Sequence, residues 1–147
     1  MMLPESVTYF TMKEILECSD TKKYLIQDIP AELRENINPT IMVLDELRKW
    51  YGKPLLLSSG FRDAEHNTRV RGSLNSLHTK FNALDFYPQE PENIKKLYDQ
   101  LCKWDAEHYF KFLPRAGSMG LGLYLSRFIH IDTRATIKMN APARWFG

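Results

Sequence analysis

The sequence predicts an α+β domain in which helices pack on a small antiparallel sheet. Three observations carry that class. Two long segments show the apolar spacing of helices, and strand-like runs are few and short. Two of those runs, Gly122 to Ser126 and Phe128 to Thr133, are separated by a tight connection that suits an antiparallel pair. With 147 residues the chain is long enough to bury a core and short enough to form one domain, residues 1–147.

The elements follow in order. Thr11 with Glu14 three residues later has the form of a capping box, which opens a short helix from Met12 to Cys18. A short helix near Ala31 to Asn36 lies between turns. Asn38-Pro39 then reads as a helix cap with proline at the first helical position. Ile41, Leu44, Leu47 and Tyr51, with Val43 and Trp50 beside them, form the apolar stripe of that helix, and Gly52 stops it. Pro54 to Ser58 reads as a buried strand ended by Gly60. Asp63 caps a short helix that runs to Val70, and Gly72 to Ser76 is a loop. Ala83 to Tyr87 is a strand closed by Pro88. Pro91 to Trp104 is the second long helix, with Ile94, Leu97 and Leu101 inward. Gly117 to Gly122 is a glycine-rich turn before the strand pair.

Composition narrows the functional classes. The hydrophobic share of 44% is that of a folded protein rather than a disordered one. The formal net charge is +2 and the basic residues are scattered, so no basic stripe marks a nucleic-acid surface. Cys18 and Cys102 stand alone, which suits two small core side chains and not a disulfide framework or a cysteine zinc knuckle. No segment approaches the roughly 20 apolar residues of a membrane span. MMLPESVTYF has neither the basic start nor the apolar run of a secretory signal, so the chain is expected in the cytoplasm as synthesised.

The chemistry concentrates in LSSGFRDAEHNTRVRGSLNSLHTKFNALD, Leu57 to Asp85, and in FIHIDTR, Phe128 to Arg134. The first segment offers His78 and Asp85 in an H-x6-D spacing. The second offers His130 on an alternating strand, with Phe128, His130 and Asp132 on one face and Ile129 and Ile131 on the other. Two imidazoles and a carboxylate suit Zn²⁺ and leave a fourth position for water or substrate. An open site of that kind is catalytic by default, because the metal acidifies water and polarises a carbonyl. The bland alternative for the same spacing is a set of hydrogen-bonded polar residues around a loop.

SSGFR, EHN, GSLNSLH, ALDF, GLGLY, FIHIDTR and ARW occur in an order that resembles the zinc D-alanyl-D-alanine carboxypeptidases and related peptidoglycan peptidases, whose fold is shared with the hedgehog signalling domain. The compact bacterial and phage branch is the nearest in pattern. The resemblance implies one Zn²⁺ per chain on His78, Asp85 and His130. It implies that Arg62 steadies the substrate carbonyl or the oxyanion formed on it, as a planar permanent cation suits. Ser76 matches the serine two residues before the first ligand and is expected to support the loop. Tyr124, on the strand before the last ligand, is a candidate substrate contact. The implied partner is a peptidoglycan peptide or D-alanyl peptide, with no nucleic acid or membrane, and a monomer is expected. The implied activity is carboxypeptidase or endolysin-type endopeptidase, and the alternative is an inactive wall-peptide binding module of the same fold.

Five positions depart from the family pattern. Phe81 stands where glycine is usual, Leu77 replaces a glutamine, and Val70-Arg71-Gly72 replaces V-G-G. Arg127 and Phe128 stand where relatives carry proton acceptors. Asp132 is left with two open roles: accepting a proton in catalysis, or orienting His130 through a hydrogen bond. His66 is expected at the surface or as a cap, His108 has no assigned role, and Trp145 is grouped with aromatic residues expected in the core.

Overall fold

The computed structural model describes residues 2–147. The elements, in order, are α1 (Met12–Glu17), α2 (Ile37–Tyr51), β1 (Leu55–Ser59), α3 (Ala64–Arg69), β2 (Ala83–Pro88), α4 (Ile94–Ala106), β3 (Gly120–Tyr124), β4 (Phe128–Asp132) and β5 (Ala143–Phe146). The class is α+β, as the sequence predicts. The sheet order is β1-β2-β4-β3-β5. Its first four strands pair antiparallel, but β5 lies parallel to β3, so the sheet is mixed rather than purely antiparallel.

Local chemistry accounts for the helix ends. The Thr11–Glu14 capping box forms reciprocally, with the Glu14 amide donating to Thr11 Oγ1 and the Thr11 amide donating to Glu14 Oε1, both at 3.1 Å. Gly52, in the left-handed conformation, ends α2 by donating to the Arg48 carbonyl. The start of α2 differs from expectation. A 3-10 stretch over Ala31–Asn36 runs directly into the helix at Ile37, so no open N-terminus is left for Asn38 to cap. The Asn38 Oδ1 is buried without a hydrogen-bond partner among the described residues. Helix α4 is preceded by a 3-10 turn at Pro91–Asn93.

Strand alternation sorts the sheet into an apolar and a polar face. Leu84 and Phe86 on β2, Leu121 and Leu123 on β3, and Ile129 and Ile131 on β4 are all buried against α2 and α4. Those helices contribute Ile41, Leu44 and Leu47 from α2, and Ile94, Leu97 and Leu101 from α4, none of them more than 1% exposed. The opposite face carries Asp85, His130, Asp132, Gly120 and Gly122 and meets the loop and short helix between β1 and β2. Buried Asn82 ties that loop to the helical layer. Its amide donates to the Asn36 carbonyl and its Oδ1 accepts from the Thr133 amide. Thr40 on α2 donates to the Asn82 carbonyl at 2.7 Å. Among the described residues no helix is long and apolar enough to cross a membrane.

Candidate metal centre

Register brings the polar residues into one row. Ser59 on β1 lies opposite Asp85, Asp85 pairs with His130, His130 with Gly122, and Gly122 with Trp145 on β5. Strand β3 begins at Gly120, inside the stretch the sequence suggests as a turn. Its G-L-G spacing has a steric cause. A Cβ on Gly122 would meet the Trp145 ring at 2.4 Å, and one on Gly120 would meet Asp132 Oδ2 at 2.5 Å. The first glycine position keeps room for a buried carboxylate and the second for an indole.

His78 enters from the loop. Its backbone amide donates to Ser76 Oγ at 3.3 Å, and its carbonyl accepts from the Arg62 amide at 3.2 Å. The turn closes at Phe81, whose φ of +52° is left-handed. A glycine adopts that angle freely, whereas a side chain there costs about 1 kcal/mol. Phe81 is fully buried and meets Phe61 edge to face, with ring centroids 6.0 Å apart. The departure from glycine therefore leaves the turn intact and anchors it in the core.

The three candidate ligands converge. His78 Nε2 and His130 Nδ1 each lie 3.2 Å from Asp85 Oδ1, and one ligand atom from each residue falls within 4.8 Å of the others. All three side chains are buried. The far nitrogens are also engaged: His78 Nδ1 donates to the Gly60 carbonyl at 2.7 Å, and His130 Nε2 donates to Asp132 Oδ2 at 2.7 Å. Each ring thus turns its other nitrogen toward Asp85, the arrangement that fixes histidine tautomers around a metal. A tetrahedral ion with bonds of about 2.0 Å needs ligand atoms about 3.3 Å apart, close to the two spacings seen. The donor set fits Zn²⁺.

The electrostatics follow from this packing. Burial holds His78 below the usual imidazole range, against the pull of Asp85. Burial also opposes charging of His130, but hydrogen bonds to Asp132 and Asp85 win and raise it to about 9. Burial would raise Asp85, yet the two histidines hold it well below the carboxylate range. The Asp132 and Asp85 carboxylates favour a proton on His130, and a metal would compete with that proton for the ring.

Arg62 and Asp132 flank the trio differently. Arg62 Nε donates to Ser59 Oγ at 3.2 Å, one terminal nitrogen donates to Asn67 Oδ1 at 3.3 Å, and the other lies 3.6 Å from Asp85 Oδ2. It lines a cavity of about 560 Å³ together with the three candidate ligands, Ser76 and Tyr124. Asp132 does not line that cavity. It is fully buried behind His130, and its oxygens accept from His130, the Gly120 amide and the Arg134 guanidinium. Of the two open roles, this geometry suits orientation of His130 and leaves no lone pair facing the cavity.

Several residues stand elsewhere than expected. His66 is 1% exposed, not at the surface. Its Nδ1 accepts from the Tyr24 hydroxyl at 2.8 Å, and that hydroxyl accepts from the Asp63 amide at 3.1 Å. His108 donates to the Leu113 carbonyl, away from the cavity. Trp145 lies on the cavity wall rather than in the core, 4.9 Å from the His130 ring, and donates to the Tyr124 hydroxyl at 3.0 Å. No sequence periodicity marks β5, and the clue available was the second glycine of GLG, a vacancy that needs a neighbour. Phe128 stacks on Tyr124 at 4.3 Å and continues the aromatic wall.

A family model described as Peptidase M15 matches residues 8–132, which include all three candidate ligands and stop before β5. No curated protein matches the chain.

Proposed function

The chain belongs to the peptidase M15 family, and on that premise we propose that it is a zinc-dependent metallopeptidase that hydrolyses peptide bonds in bacterial peptidoglycan stems. The observation that carries this is the pair of buried histidines, each oriented by an outward hydrogen bond so that its free nitrogen faces Asp85. His78, Asp85 and His130 would hold the ion. Zn²⁺ bound there supplies Lewis acidity to a carbonyl and lowers the pKa of a water. Arg62, clamped by Ser59 and Asn67, offers a fixed cation at the cavity wall where charge develops on a carbonyl oxygen. Asp132 holds the His130 ring and its tautomer. Ser76 supports the His78 turn, and Tyr124 bounds the substrate space. Both a terminal D-alanine and an internal stem bond fall within this activity. All of these groups come from one chain, which is proposed to act as a single domain and a monomer.

The test is zinc-loaded protein incubated with D-alanyl-D-alanine peptides and with cross-linked peptidoglycan, its products separated by mass. Released D-alanine or soluble fragments are expected, and they should vanish in His130→Ala. Zinc should be present at about one ion per chain and be lost in His78→Ala. Intact substrate at full zinc occupancy would refute the activity.

One observation favours a second reading, a wall-peptide binding module. Asp85 is the only carboxylate among the cavity-lining residues, while Arg127 is exposed and Phe128 is stacked on Tyr124. Peptide binding without turnover would select it.

A further inference from the structure

We propose that Arg71 is a specificity residue that selects substrates by pairing with a carboxylate of the bound peptide. This inference rests on the peptidase reading of the cavity. Three guanidinium groups line that cavity, those of Arg62, Arg71 and Arg134. Arg62 is committed to Ser59, Asn67 and Asp85. Arg134 grips both oxygens of Asp132 and lies over the Trp145 ring. Arg71 is exposed, and among the described residues no side-chain hydrogen bond or ion pair engages it. It is the cation that the cavity leaves unmatched.

Its backbone makes the choice of side chain informative. Arg71 sits at φ +58°, with its amide donating to the Thr68 carbonyl at 3.0 Å. Glycine adopts that angle without strain, so arginine is not there for the turn. It adds a long, permanently charged fork to the cavity rim, and a planar fork pairs best with a carboxylate. The cavity lining holds no free acid to neutralise it, since Asp85 already faces two histidines and Arg62. A peptide that enters meets surplus positive charge at this rim. Two sources supply the matching group: the C-terminal carboxylate of the peptide, or an acidic side chain within it.

The test compares three peptides on full-length protein kept in chelator, so that binding is read without turnover. They are N-acetyl-Lys-D-Ala-D-Ala, its C-terminal amide, and N-acetyl-Glu-D-Ala-D-Ala amide. Dissociation constants are measured by calorimetry for wild type, Arg71→Gly and Arg71→Lys. Gly keeps the backbone conformation, and matched melting temperatures would verify the fold. The wild type should bind one carboxylate peptide about tenfold tighter than the neutral-ended lysyl amide, the scale of one charge-assisted hydrogen bond. That preference should fall to about one in Arg71→Gly, persist in part in Arg71→Lys, and shrink with added salt. Preference for the free terminus assigns the carboxylate to the chain end, and preference for the glutamyl amide assigns it to a side chain. The proposal is overturned if wild type binds all three alike, or if Arg71→Gly keeps the wild-type ratio. The peptidase reading fails separately, if zinc-loaded wild type leaves every peptide uncut while the binding ratio stands.

Discussion

At the scale of single residues, two side chains show how burial decides between competing costs. Phe81 bears the strain of a left-handed backbone, about 1 kcal/mol, but deleting a buried aromatic ring costs about 3–5 kcal/mol. Phe81→Gly is therefore expected to destabilise the protein by about 3 kcal/mol despite relieving the angle, as measured by urea unfolding. A stability gain would mean that the ring contributes little. His66 works through hydrogen bonding. Burial, and then the positive charge of Arg62, hold its pKa below the ordinary value of 6.5. A histidine depressed in the folded state adds stability above pH 6.5 and loses it as pH falls. Protonation would also take the lone pair that accepts from Tyr24, whose hydroxyl positions the Asp63 amide beside Arg62. Between pH 7 and 5, in chelator, the fall in unfolding free energy should be steeper for wild type than for His66→Gln. Equal slopes would refute the linkage. The candidate ligands were picked out by the resemblance to a known family, since their types and spacing alone also fitted hydrogen-bonded polar residues around a loop. The role of His66 was not legible, because Tyr24 and Thr21 meet it only in the folded chain.

At the scale of elements, legibility followed periodicity. Helices α2 and α4 each bury a full stripe, so their spacing announces them. Strand β4 alternates between polar and core side chains and is readable for the same reason. Strand β5 is four residues of partial burial at a sheet edge, and its parallel pairing with β3 depends on a long return of the chain that no local pattern encodes. Yet β5 places Trp145 on the cavity wall, over Gly122. Gly122→Ala should force the indole away, at a cost of about 2 kcal/mol. Tryptophan emission should shift to the red while zinc stoichiometry stays at wild-type level. An unchanged emission spectrum would show that the added methyl is absorbed elsewhere.

At the scale of the whole molecule, two layers divide the labour. The helical layer closes the apolar face of the sheet, and the other face is left free for polar side chains. The His–Asp–His centre joins a loop to two central strands, so occupancy should stabilise the entire domain. With zinc at a hundredfold excess over its dissociation constant, linkage adds about 2.7 kcal/mol, equivalent to a rise of about 8 °C in melting temperature for a chain of this size. Calorimetry with and without zinc checks this, and His78→Ala should abolish the rise. An equal rise in His78→Ala would place the ion elsewhere. The α+β class was readable because it needs only the kinds of element. The mixed sheet was not, since it depends on which edge the last strand joins.

The row from Ser59 through Asp85, His130 and Gly122 to Trp145 takes one residue from each of five strands that the chain visits out of spatial order. No short piece of the chain holds a complete ligand set, since His130 lies 45 positions beyond Asp85 and on the neighbouring strand. In a zinc finger, by contrast, nearby ligands capture the ion and the ion organises the chain. Here an unfinished molecule has at most two of the three candidate ligands, His78 and Asp85, close together along the chain. An ion held by all three residues would have to be acquired after the central strands pair, and its presence would report that they are in register.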